Sequence, residues 1–188
     1  VKAMFNLGCM YRDGEGVVQS FEKAAELYTM AAEQGEVSAM HNLGFLYQDG
    51  KGVVQSFEKA VELYTMAAEQ GLVDAMHNLG HLYEKGQGVV QSFAKAVELY
   101  TMAAEKGQVE AMINLGLLYI QGNGVDQSNE LAREWWTKAA NEGIEGAIKN
   151  LKMLDEMEAT KAAATPTTTT TTTSSRCCAA CNTPQTND

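Results

Sequence analysis

Long apolar runs are missing from this chain of 188 residues, and none of its stretches is long enough to span a bilayer. Cysteine is scarce. Of four, only Cys9 precedes the last dozen residues, which excludes a disulfide framework. The default is then a reducing compartment, the cytoplasm or nucleus ahead of the secreted route, with the endoplasmic reticulum left open. Positive charge is also short, with 14 Lys and Arg against 24 Asp and Glu and a formal net charge of −10. That excess sits on residues 1 to about 160. Phosphate binding needs the opposite sign, so nucleic acid is excluded as a partner, and basic or neutral proteins fit better. The acidic side chains also serve to keep a helical surface soluble.

Catalytic signatures are absent too. There is no G-x-x-x-x-G-K-[ST] loop, no G-x-G-x-x-G after a strand, no nucleophile elbow and no H-E-x-x-H. No enzyme is expected. No signal peptide is visible. The opening VKAMFNLG lacks an initiating Met and already reads as helix, so the chain is expected to be a piece of a longer one, and targeting stays open.

What the sequence does contain is repetition. GVVQSFEKAVELYTMAAEQG, beginning at Gly52, recurs almost letter for letter from Gly16 and Gly88, and in eroded form from Gly124, at a step of 36 residues. A fixed period of this size marks an array of one supersecondary unit. Each copy opens with a run such as AMHNLGFLYQDG. Ala39, Leu43, Leu46 and Tyr47 fall on one helical face. Gly8, Gly44, Gly80 and Gly116 interrupt that face, each at a cost of about 1 kcal/mol relative to Ala. The repetition implies a second, Ala-rich helix crossing too closely for a Cβ. Gly50 and Gly52 end the first helix, Val53 tucks toward the core, and Ser56 caps the second helix, predicted from about Phe57 to Gln70. Neither helix can bury its stripe alone. The fold class is therefore all-α, an α-solenoid of antiparallel helix pairs.

The pattern A-xxx-LG-xx-Y-xx-G-x-GV followed by KA-xx-xY-xx-AAE-xG resembles the Sel1-like repeat, a relative of the tetratricopeptide repeat. Leu43, Gly44, Tyr47, Gly50, Gly52, Val53, Lys59, Ala60, Tyr64, Ala67, Ala68 and Gly71 carry it. The 36-residue period is longer than the tetratricopeptide's, about 34. The family's acidic residue at the start of the second helix is here Ser20, Ser56, Ser92 or Ser128, and Leu131 stands where the other copies have Lys. The expected units are 3–38, 39–74, 75–110 and 111–146, with a capping helix over 147–160. A Thr-rich linker over 161–176 is expected to be disordered, and a Cys-containing tail covers 177–188.

By resemblance, the first helices line a concave groove that binds a peptide or protein partner, as adaptors of multiprotein complexes do, including those of protein quality control at the endoplasmic reticulum. The groove then holds Asn6, His41, Asn42, Phe45, His77, Asn78, His81, Ile113, Asn114 and Leu117, with Phe5 and Cys9. Between copies these positions change while the second helices barely do. The Asn residues are the exception, forming a ladder that either bonds the backbone of an extended peptide or pairs with neighbouring carbonyls. Lys2, Arg12 and Lys85 are too scattered for the carboxylate clamp of some tetratricopeptide domains. His41, His77 and His81 either converge on a metal or are solvated side chains of the groove. Trp135 and Trp136 are either a binding hot spot or occupants of the core positions of Leu63 and Tyr64.

The tail raises one further alternative. Cys178 and Cys181 form a C-x-x-C pair that resembles the opening knuckle of a MYND or RING-like zinc finger. That gives half a zinc site, or else an accidental cluster. On the zinc reading the repeats recruit substrate for a regulatory protein or ubiquitin ligase. No cofactor other than that zinc is expected.

Overall fold

A computed structural model describes residues 1–164. Its elements are α1 (Lys2–Asp13), α2 (Phe21–Ala32), α3 (Val37–Asp49), α4 (Phe57–Glu69), α5 (Val73–Lys85), α6 (Phe93–Glu105), α7 (Val109–Gln121), α8 (Asn129–Asn141) and α9 (Glu145–Ala164). Each helix packs chiefly against those before and after it in the chain, the contact pattern of a solenoid. The described residues contain no strand, and no helix among them is long and apolar enough to cross a membrane.

The second helices begin where serine dictates. Ser20, Ser56, Ser92 and Ser128 are extended, and each hydroxyl accepts from the N–H three residues on. The first helices end on left-handed glycines: Gly50, at φ 68°, closes its cap onto the Leu46 carbonyl. A device not read from the sequence completes these ends. The side-chain amides of Gln19, Gln55, Gln91 and Gln127 donate to the carbonyls of Arg12, Gln48, Glu84 and Ile120 at 2.7–2.8 Å. Each thereby satisfies a last-turn oxygen that the helix leaves orphaned. Val53 is half-buried against the core, whereas Val54 is 89% exposed.

Alanine and leucine supply most of the core residues, with tyrosine as its largest repeated side chain. Tyr28, Tyr64 and Tyr100 are completely buried, each contributing about 1.5–3 kcal/mol. Their rings lie where the helix glycines have no side chain. A Cβ on Gly44 would stand 2.8 Å from Tyr64 Cε1, and one on Gly80 would stand 2.9 Å from Tyr100 Cε1. The close approach expected at these glycines is therefore made by an aromatic ring and not by the backbone of an Ala-rich helix. In the fourth unit Trp136 takes the tyrosine's place against Gly116, and Trp135 lies half-buried with Lys138 4.0 Å over its ring. A second stack fixes the outer edge of each pair. Lys23, Lys59 and Lys95 lie 4.8–5.0 Å over Tyr11, Tyr47 and Tyr83. Leu131 stands in the lysine's place in the fourth unit.

The seam between units includes a backbone contact. A Cβ on Gly88, which holds φ 71°, would run into the backbone of Phe57 in the unit before it. This glycine is needed both for its angle and for the close approach.

The helix bounds differ from those expected in two ways. First helices start at Val37, Val73 and Val109, two residues before the predicted unit boundaries. The β-branched residue there looked like linker but occupies the first helical position. The last helix runs from Glu145 to Ala164, taking residues 161–164 from the predicted linker. Lys161 to Ala164 are strong helix formers, and no stop signal precedes Thr165 and Pro166. The rest of that linker and the Cys tail lie outside the described residues. Lys152 replaces the glycine in α9, so no aromatic ring could stack there, and Ala147 and Leu154 remain buried beneath it.

Gly80→Val is expected to destabilise the array by about 1–3 kcal/mol, read as a lower melting temperature in circular dichroism. The same change made in a Tyr100→Leu background should cost clearly less. Equal costs in the two backgrounds would disprove the ring contact as the cause.

Candidate functional site

The outward residues of the first helices recur at i, i+4 and i+7: Phe5, Cys9 and Arg12; His41, Phe45 and Gln48; His77, His81 and Glu84; Ile113, Leu117 and Ile120. Phe45 and Leu117 are 40% and 39% exposed, while His41, His77, His81 and Ile113 are half-buried. Asn42, Asn78 and Asn114 lie beside this face, half-buried, and Asn6 is exposed.

The structure joins five of these residues into one line. Asn114 Nδ2 donates to His77 Nε2 at 3.2 Å, and His77 Nδ1 meets Asn78 Oδ1 at 3.3 Å. Asn78 Nδ2 in turn donates to His41 Nε2 at 3.0 Å, and His41 Nδ1 meets Asn42 Oδ1 at 3.3 Å. With Nε2 accepting, both imidazoles are neutral and carry their proton on Nδ1. The relay is bounded by apolar side chains, because Phe5 and Ile113 occupy the histidine position in the first and fourth units.

Tyrosine places the relay. Each buried ring passes over its glycine and brings its hydroxyl to the first-helix face. Tyr64 donates to Gln48 Oε1 at 3.1 Å, and Tyr100 donates to Glu84 Oε2 at 2.9 Å. The His41 and His77 rings lie 5.6 Å from the Tyr64 and Tyr100 rings, tilted, and Phe5 does the same on Tyr28. Burial pushes these phenols above their ordinary value, so they remain donors. Burial also tends to raise Glu84, but the hydrogen bonds from Lys85 and Tyr100 outweigh it and hold the carboxyl below its ordinary value.

Two expectations change here. Asn78 and Asn114 pair with histidines of the preceding unit, not with neighbouring carbonyls, and Asn42 meets His41 of its own unit. The histidines do not converge, because His41 and His77 each give Nε2 to an asparagine, and the described residues contain no His, Cys, Asp or Glu group that could hold a metal. Cys178 and Cys181 lie outside the described residues. The sequence reading missed the far end of the face. There Leu117, Ile120, Trp136, Met153, Leu154 and Met157, with Asn150, line an apolar cavity of about 120 Å³. Met153 is one period beyond Leu117, and that spacing was the available signal. Trp136 is 4% exposed, and its indole N–H donates to the Ile113 carbonyl at 3.1 Å, so it fills the core as a tyrosine does.

The family model of the Sel1 repeat matches residues 1–36, 37–72, 73–108 and 109–144. The chain belongs to the Sel1 repeat family. Sel1 repeats form a protein-interaction scaffold fold. Among solved structures, the chain is similar to a protective antigen of uropathogenic Escherichia coli strains displaying an SLR fold. The two are 35% identical, with a TM-score of 0.79, over 80% of this chain and 32% of the antigen. It is also 35% identical to a Sel1 repeat protein from Oxalobacter formigenes, with a TM-score of 0.75, over 80% of this chain and 62% of that one. Helicobacter pylori cysteine-rich protein B shares the fold at 24% identity and a TM-score of 0.54, over 70% of this chain and 98% of that one. This Sel1 chain thus spans less than two thirds of the length of the first two relatives. A comparison with curated proteins finds no match.

Burial lowers the His41 and His77 pKa values below 6.5, against smaller opposing contributions from Asn42 and Asp74 and from Asn78, Glu110 and Asp74, while His81 adds to the lowering at His77. The unfolded chain therefore binds more protons in this range, and stability rises with pH. The melting temperature is expected to hold above pH about 7 and to fall as pH drops below about 6.5. A His41→Phe, His77→Ile variant, which copies the residues of the first and fourth units, should flatten that slope. An unchanged slope would remove the two imidazoles as its source.

Proposed function

We propose that the first-helix face is the recognition surface of an interaction scaffold and binds a peptide or a segment of a partner protein as a non-enzymatic adaptor. The observation that carries this reading is the distribution of variation. Copies one to three repeat their second helices almost unchanged, but the outward first-helix positions run Cys9, Phe45, His81, Leu117 and then Met153. Recognition needs such differences, because identical units cannot read unlike side chains along one ligand. Exposed Phe45 and Leu117 supply apolar anchors, and the cavity beside Leu117 has room for an aliphatic side chain. Asn42, Asn78 and Asn114 act mainly as the frame, since each gives part of its amide to the relay, while the exposed Asn6 stands outside it and offers its amide to a ligand.

The test is site-specific photo-crosslinking. Benzoylphenylalanine at position 45 or 117 is expected to give discrete adducts with a partner, and the same group at Val54, in the exposed loop between α3 and α4, serves as the comparison. Adducts at 45 and 117 should disappear when His81 and the remaining apolar anchor are changed to Ser with the melting temperature preserved. Adducts that persist in that variant, or no adducts from either position, would place recognition elsewhere.

A further inference from the structure

The second helices turn outward a surface that the first-helix face leaves unused. Met30, Met66 and Met102 hold the same place on α2, α4 and α6 and are 48%, 46% and 40% exposed. Helical spacing sets Glu26, Glu62 and Glu98 one turn before them and Glu33, Glu69 and Glu105 one turn after. None of these six carboxylates has an ion-pair partner among the described residues. The cations of the same helices, Lys23, Lys59 and Lys95, are drawn to the edge, over tyrosine rings.

The fold does not require methionine at this place. The fourth unit has Lys138 there and Asn141 in place of the second carboxylate, and the helix forms equally well. Lys, Gln and Met have nearly equal helix propensity, so a solvated position has no local reason to prefer the thioether. An unbranched, polarizable side chain suits a surface that must adapt to an apolar partner. Unpaired carboxylates on both sides of it select positive charge.

We propose that the second-helix face of the first three units docks a basic amphipathic helix of a partner protein. Its aliphatic side chains meet the three methionines, and its Lys or Arg side chains meet the flanking glutamates. The same charges turn away nucleic acid and anionic membranes. This surface lies on different helices from the recognition face and stands independently of it.

The methionines themselves supply the readout. The full chain, labelled with 13C at the methionine methyls, is titrated with a leucine–lysine peptide patterned as an amphipathic helix. Its leucine–glutamate counterpart is run in parallel. The Met30, Met66 and Met102 methyls are expected to shift, while buried Met40, Met76 and Met112 and the exposed Met153 and Met157 of α9 stay in place. Changing all three methionines to Gln, which leaves charge untouched, should weaken binding about tenfold or more, whereas Leu at the three sites should keep it. Raising the salt concentration should weaken it further. The inference is overturned if shifts centre on Met153 and Met157 or spread over every methyl. It is also overturned if the Gln variant binds like the parent or if the acidic peptide binds as well as the basic one.

Discussion

A tyrosine ring lying on a glycine is the contact from which this array is built. It is made within each helix pair, by Tyr28 on Gly8, Tyr64 on Gly44 and Tyr100 on Gly80, with Trp136 on Gly116 as the variant. Removing one Cβ lets a large ring fill the gap between two helices, which yields more buried apolar area than an alanine pair could. The ring also leads its hydroxyl through the pair to the opposite surface, so one side chain serves both packing and the polar network. In α9 Lys152 takes the glycine's place, so no ring can stack there.

The seams between units rest on a different constraint, the bare backbone of Gly52, Gly88 and Gly124 against the start of the preceding second helix. Side chains hold each pair together, and this glycine–backbone contact joins the pairs alongside the side chains of the shared core. Outer surfaces are thereby freed from packing, and the two long faces can diverge in different ways. The first-helix face varies along the chain, and the second-helix face is held constant over three units.

Most of the architecture was legible because the period is strict and the punctuation is chemical. Ser56 announces a helix start and Gly50 a helix end wherever they stand. Gly44 was legible as a close approach, but its partner was not, since a ring and a backbone leave the same mark in sequence. The His–Asn line was invisible for a geometric reason. It joins His41 to Asn78, residues 37 apart, one more than the period, so an alignment of copies stacks each asparagine on the next asparagine and hides the partner. The glutamine caps escaped for a similar reason, because their seven-residue reach crosses a loop whose path is not written in propensities.

The line of amides and imidazoles has a direction. Asn78 and Asn114 each give a hydrogen toward the earlier unit, and both imidazoles answer with the same nitrogen. No single link can be turned around without its neighbours, because an Asn78 presenting oxygen to His41 would present hydrogens to a His77 that already holds one. The row can therefore be reversed only as a whole, and its length is set by where a copy carries histidine and where it carries phenylalanine or isoleucine. Duplicating a central copy would lengthen the row by one unit, and duplicating an end copy would leave it as it is.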